Sequence, residues 1–164
     1  RNAGARNIIV IDSTSCANDL ITMNCTTDVT KLPMVQYLDR IRSFAGDNLV
    51  VSNHYYTLPT QCTDAGNIAA QTALIAAMRA RNIGFMVGEA AVAHDNDTCL
   101  FQGYTANIWD MFDGAARPAH VGVVVWHTEP TSDNCSLTTS YHWWDLDQLT
   151  ESGQRFWAYT HDPW

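Results

Sequence analysis

The chain has 164 residues, a formal net charge of −8, and 46% hydrophobic against 16% charged residues. That composition suits a folded core and excludes a disordered segment. The acidic balance argues against binding nucleic acid or an anionic membrane, since basic patches drive both, and no apolar run reaches the 18 or so residues of a membrane span.

Arg1 stands first and no signal-peptide pattern follows, so the chain is expected to be a processed product or part of a larger one. The first short apolar run covers residues 7–12, with Ile8, Ile9, Val10 and Ile11 before Asp12. A long loop, 13–30, leads to residues 31–45, where Leu32, Val35, Leu38, Ile41 and Phe44 recur three apart and predict a helix stopped by Gly46. The second run, 48–52, opens into a loop over 53–64. Residues 65–80 are Ala-rich and predict a helix packed closely on a sheet. The third run is 83–88, followed by a loop over 89–103 and a helix over 104–116 carrying Ile108, Trp109, Met111, Phe112 and Ala115. The fourth run is 121–126. A loop over 127–149 precedes a helix over 151–159, with Thr150 as N-cap and Phe156, Trp157 and Tyr159 on it.

The four runs are apolar at consecutive positions, which predicts strands buried on both faces in a parallel sheet. They begin roughly 35 to 41 residues apart, the length of a strand, a helix and a return. The fold class is therefore α/β, a single domain over 1–164 with βα units at about 7–46, 48–82, 83–120 and 121–160. The helix-to-strand returns are short and the strand-to-helix loops long. In parallel α/β folds binding and catalysis sit beyond the C-terminal strand ends, so the long loops mark the active face.

Cys16, Cys25, Cys62, Cys99 and Cys135 all fall in those long loops, away from the expected strands and helices. Buried-hydrophobe packing is therefore not the expectation, and zinc lacks a close CxxC or HxxxH pair. Disulfides are expected, and with them a secreted, extracellular setting. Cys16 with Cys25 closes one loop, Cys62 and Cys99 sit in successive loops, and one cysteine is left over. No metal site and no cofactor is expected.

At the strand ends the chemistry changes. Asn53-His54-Tyr55-Tyr56 follows the second run, Gly88-Glu89 ends the third, and Trp126-His127-Thr128-Glu129 ends the fourth. Carboxylates and aromatic faces on one rim suggest sugar chemistry: rings stack on Trp and Tyr, and carboxylates act on the glycosidic bond. Strand alternation sends Tyr55 and Tyr56 to opposite sides, and Tyr56 shares the side of His54. Trp144, beside Trp143, is either a sugar platform or packing.

In order and spacing, these residues resemble the C-terminal half of a glycoside hydrolase family 5 enzyme of cellulase or mannanase type. Val51-Ser52-Asn53-His54-Tyr55-Tyr56 resembles strand six with its His-x-Tyr motif. Val87-Gly88-Glu89 resembles strand seven, and Val125-Trp126 strand eight. Leu149-Thr150-Glu151-Ser152-Gly153 resembles the start of the last helix. The resemblance implies half of a (β/α)8 TIM barrel, strands five to eight, where a whole barrel takes about 250 residues. It implies a retaining β-1,4-glycosidase acting on cellulose, β-glucan or mannan. Glu89 is then the nucleophile, His54 and Tyr56 line the site, and Trp126 stacks under the sugar.

The family's acid/base Glu lies on strand four, which this chain does not include. A half barrel exposes apolar edges, so a homo-oligomer, a dimer or higher even number, or a missing N-terminal half is expected to cover them. In a two-fold assembly Glu129 of the partner copy is the expected acid/base. The alternative function is a non-catalytic carbohydrate-binding half barrel.

Overall fold

The computed structural model describes residues 7–17, 19, 24–55, 64–90, 111–125 and 146–161. Four strands, β1 (Ile9–Asp12), β2 (Leu49–Tyr55), β3 (Gly84–Ala90) and β4 (Gly122–Val123), form one sheet in the order β1-β2-β3-β4. Every pairing is parallel. The helices are α1 (Thr14–Ala17), α2 (Pro33–Ala45), α3 (Asp64–Ala80) and α4 (Glu151–His161), with a π-helical turn at Phe112–Ala116 and 3₁₀ turns at Val29–Lys31 and Leu146–Gln148.

The core lies on one face of the sheet. Ile9, Ile11, Leu49, Val51 and Phe85 pack with Leu32, Val35 and Leu38 of α2 and Leu74 and Met78 of α3. Next to this, Tyr55, Val87, Ala90 and Val123 pack with Ile75, Phe112 and Tyr159. Arg117 lies 4.6 Å over the Tyr159 ring, and Phe112 is 5.2 Å from it. Burial pushes the Tyr159 hydroxyl pKa above its ordinary value, with the Arg117 cation opposing.

Several local devices fix the helices. A buried carboxylate caps α2 from outside: Asp19 Oδ2 accepts the Met34 backbone N–H at 3.1 Å, and the Thr14 hydroxyl donates to Asp19 Oδ1. An anion at a helix N-terminus satisfies an orphan donor and complements the dipole. Gly46, at φ 72°, ends α2 with its N–H on the Arg42 carbonyl. Thr150 Oγ1 accepts the Gly153 N–H at 3.1 Å, the N-cap that the sequence predicts. Both later returns close as Schellman motifs on non-glycine residues. Asn82 (φ 54°) bonds the Arg79 carbonyl while Ile83 bonds that of Met78, and His120 (φ 47°) and Val121 repeat the pattern on Arg117 and Ala116.

The structure corrects the sequence reading in several places. Burial on both faces holds only for β2. Val10 is 53% and Ile8 68% exposed, because the described helices cover one face and leave the opposite one open. β2 runs on through His54 and Tyr55, and β3 through Glu89 and Ala90, so these residues lie in strands and not in loops. β4 is two residues long, with one further ladder bond from Val124 N–H to the Val87 carbonyl.

Phe44 is 71% exposed. A strict three-residue spacing lags the helical period at each step and rotates off the buried face, which Met34, Leu38 and Ala45 hold instead. Trp157 turns outward and stacks on His161 at 3.8 Å, one turn along the helix. Cys16 lies in α1, not in a loop. Cys25 is buried in the core and is not a free thiol. The expected helix over 104–116 falls outside the described residues up to position 110; beyond it the chain forms the π-helical turn.

The left-handed backbone at Asn82 makes a stability test. Asn82→Val should destabilise the fold by about 1–2 kcal/mol, since a β-branched side chain clashes at positive φ, whereas Asn82→Gly should be neutral or slightly stabilising. Urea unfolding midpoints followed by circular dichroism check both.

Candidate active site

The site grows from the β2–β3 ladder. Val51 pairs with Phe85, Ser52 with Met86 and Asn53 with Val87; then the register shifts, and His54 pairs with Glu89 and Tyr55 with Ala90. In strict alternation Val87 and Glu89 share a face. The shift changes this. Val87 and Ala90, three residues apart, both enter the helix-side core, and Glu89 falls beside His54 on the opposite face. A β-bulge inserts an extra residue and re-aims the side chains beyond it.

Gly88 makes the bulge possible. A Cβ there would stand 1.9 Å from Ser52 Oγ and 3.1 Å from Ser52 Cβ. The Ser52 side chain occupies the space a Gly88 side chain would need, so a glycine here lets β3 pass Ser52 where the register shifts.

His54 is held from two directions. Its backbone carbonyl accepts Asn53 Nδ2–H at 2.8 Å, and Asn53 Oδ1 accepts the Ser13 hydroxyl at 3.0 Å. Asn53 and Ser13 are buried, so these bonds form a fixed polar strut behind the rim. On the open side His54 Nε2 stands 3.8 Å from Asp12 Oδ1, an ion pair when the imidazole is protonated. Asp12, His54 and Glu89 thus lie on three adjacent strands at the C-terminal end of the sheet, a carboxylate on either side of an imidazole. His54 and Glu89 are half-buried and Asp12 is exposed.

The structure therefore brings together His54 and Glu89 from the expected set. It adds Asn53 and Ser13 as supports, a role sequence reasoning did not assign; a polar residue at the end of each of two apolar runs was the available signal. Tyr55 is 3% exposed and turned into the core. Tyr56, Trp126, Glu129, Trp144, Cys62 and Cys99 lie outside the described residues, as does the Cys16 side chain. Among the described residues no group of three His, Cys, Asp or Glu side chains could hold a metal ion.

No family model matches the chain, and no curated protein matches it. Solved structures do. The catalytic domain of a mannanase from Streptomyces sp. SirexAA-E superposes with a TM-score of 0.65 at 20% identity, over 99% of this chain and 43% of that one. A β-mannanase from Streptomyces thermolilacinus gives 0.65 at 21% identity, over 94% and 44%. Its structure with mannohexaose gives 0.59 at 21%, over 98% and 45%. The chain thus spans less than half the length of the structures it matches. At this identity the likeness establishes the fold: four parallel βα elements corresponding to half of a TIM barrel.

The close approach at Gly88 predicts a coupled pair. Gly88→Ala should cost about 1–3 kcal/mol, the usual range for overpacking. Adding Ser52→Gly should recover most of it, because the two sites share the clash. A double-mutant cycle by chemical denaturation checks this, with additive losses as the contrary result.

Proposed function

We propose that the chain forms the strand-five-to-eight half of a retaining glycoside hydrolase acting on β-1,4-linked polysaccharide, mannan in the first place and cellulose or β-glucan in the second. The observation that carries this reading is the register pair His54–Glu89, which sets a carboxylate and an imidazole side by side at the C-terminal end of a half barrel. The fold's likeness to mannanase catalytic domains supports the substrate class.

In this reading Glu89 is the nucleophile. Its carboxylate attacks the anomeric carbon as the glycosidic C–O bond breaks, giving a covalent glycosyl-enzyme. A second carboxylic acid gives its proton to the leaving oxygen, then takes one from the water that hydrolyses the intermediate, and Glu89 leaves as carboxylate. His54 orients Glu89 and hydrogen-bonds the sugar. Tyr56, Trp126 and Trp144 are the proposed stacking and contact residues. The second carboxylate must lie about 5 Å from Glu89. It comes from the strand-four position of the complementary half or from Glu129 of a second copy.

The test separates catalysis from binding. Glu89→Gln should lower hydrolysis of soluble β-mannan by on the order of 10⁴- to 10⁶-fold, the scale of losing a member of a catalytic set. Its affinity for mannohexaose, read by calorimetry, should change little. Unchanged hydrolysis overturns the assignment. Binding by the wild-type chain with no turnover, whatever half completes it, favours the carbohydrate-binding alternative.

A secreted setting belongs to the same reading, with Cys16–Cys25 and Cys62–Cys99 as the proposed disulfides. Thiol titration of the denatured, unreduced chain should then count one free cysteine, Cys135, of the five. A count of five places the chain in a reducing compartment.

A further inference from the structure

We propose that Asp12 is a positioning residue for His54: its carboxylate takes the proton on Nε2, so that Nδ1 is the nitrogen that serves Glu89 or a sugar hydroxyl. Its part in turnover rests on the glycosidase reading above; the pairing with the imidazole does not.

Asp12 closes β1 opposite Ser52. His54 lies two residues further along β2, on the same face as Ser52, and is thus a diagonal neighbour of Asp12. Such neighbours meet when the side chains are long enough. Here Nε2 and Asp12 Oδ1 stand 3.8 Å apart. Hydrogen bonds at catalytic groups are often this long without substrate and tighten once it is bound.

The backbone that carries Asp12 is tied down just beyond it. Ser13 gives its N–H to the Ser52 carbonyl at 2.8 Å and its hydroxyl to Asn53 Oδ1 at 3.0 Å. The Thr14 hydroxyl donates to Asp19, the buried carboxylate that also accepts the Met34 N–H. Consecutive strand residues point to opposite faces, so Asp12 and Ser13 reach the same histidine from two sides. Ser13 acts through Asn53, whose Nδ2–H meets the His54 carbonyl at 2.8 Å. That strut fixes the main chain of His54 and does not set its ring. Asp12 supplies the remaining constraint, at the imidazole itself.

The chemistry of the pair gives the constraint its direction. Which imidazole nitrogen carries the proton is set by the hydrogen bonds around the ring. A carboxylate only accepts, so beside Nε2 it requires a proton there. An amide in its place presents either an acceptor or a donor and favours neither form of the ring.

Nitrogen NMR of the imidazole rings is the test, on the full chain with labelled histidine at alkaline pH, where the rings are neutral. The signals that vanish in His54→Gln identify the residue. In the wild type the proton of His54 should sit on Nε2 more completely than in free histidine. Asp12→Asn and Asp12→Ala should shift the ring signals back toward the free-histidine mixture with circular dichroism unchanged, because Asp12 is exposed. Ser13→Ala should lower stability and leave the ring signals in place. A free-histidine mixture in the wild type, or ring signals unmoved in both Asp12 variants, overturns the proposal. An equal shift in Ser13→Ala assigns the ring to the buried strut and overturns it as well. Hydrolysis separates the two readings. If Glu89→Gln leaves mannan hydrolysis unchanged, the glycosidase reading falls and the ring signals still decide the pairing. If Glu89→Gln lowers it, Asp12→Asn should lower kcat by on the order of 10²-fold with KM little changed, the scale of misplacing a group by about 1 Å. An unchanged kcat there overturns the positioning role.

Discussion

The pairing of β2 with β3 is the interaction on which the rest of the structure depends. β2 is the strand buried along both faces, and the two parts of the core meet along this ladder: Leu49 and Val51 toward its N-terminal end, Tyr55 and Val87 toward its C-terminal end, with Phe85 against both. The register shift at the end of the ladder reconciles two demands. Tyr55 and Ala90 stay in the core, and Glu89 stays out of it. An unshifted register would drive the Glu89 carboxylate to the helix side and Ala90 out. Burying an unpaired carboxylate costs several kcal/mol, far more than one alanine returns. Hydrophobic partition therefore selects the bulge, and the absence of a side chain at Gly88 permits it. The placement of the candidate nucleophile is a by-product of keeping the core apolar.

Behind the rim the support is polar and buried. Ser13, Asn53 and the His54 carbonyl form a chain of hydrogen bonds from the end of β1 into β2. The backbone ladder continues across the same seam, with the Ser13 N–H on the Ser52 carbonyl at 2.8 Å. Such groups must be satisfied internally, which ties the two strand ends to one arrangement. His54 therefore has its backbone fixed on the buried side, and its imidazole meets Asp12 on the open side. A site built on paired strands in this way is more rigid than one built on loops.

Features set by local chemistry were legible in the sequence. The Ala-rich segment forms α3, Gly46 ends α2, Thr150 caps α4, and Tyr55 turns away from the side of His54, each from a propensity, a cap or a period that acts within a few residues. What needed the third dimension was missed. Val10 and Phe44 read as buried because apolar character says nothing of whether a covering element exists. Asp19 caps α2 from 15 residues upstream, a pairing that no local window shows. Cys25 does lie in a turn, as read, but its burial was missed because its core neighbours, such as those on α2, are distant in sequence. In the candidate site, Glu89 and His54 were recognisable as chemistry at strand ends. The shift that sets them side by side was not, since Val87-Gly88-Glu89-Ala90 reads equally well as an unbroken strand.

In the proposed function, the exposed face of the sheet and the need for a second carboxylate lie on the same side. The face of the sheet that lacks cover is the side from which a cleft would be walled, and a retaining glycosidase requires its second carboxylate across that space. Any apolar surface could hide Ile8, Val10 and Val124, and any acidic side chain could donate a proton. Meeting both demands at once is far more restrictive. The cover must pair in parallel with β1 and β4, fill the interior at the level of Val10 and Val124, and present its strand ends at the same rim as His54 and Glu89. Another set of parallel βα units satisfies these conditions together, because its strands cover the sheet face and their C-terminal ends carry the side chains that reach the rim.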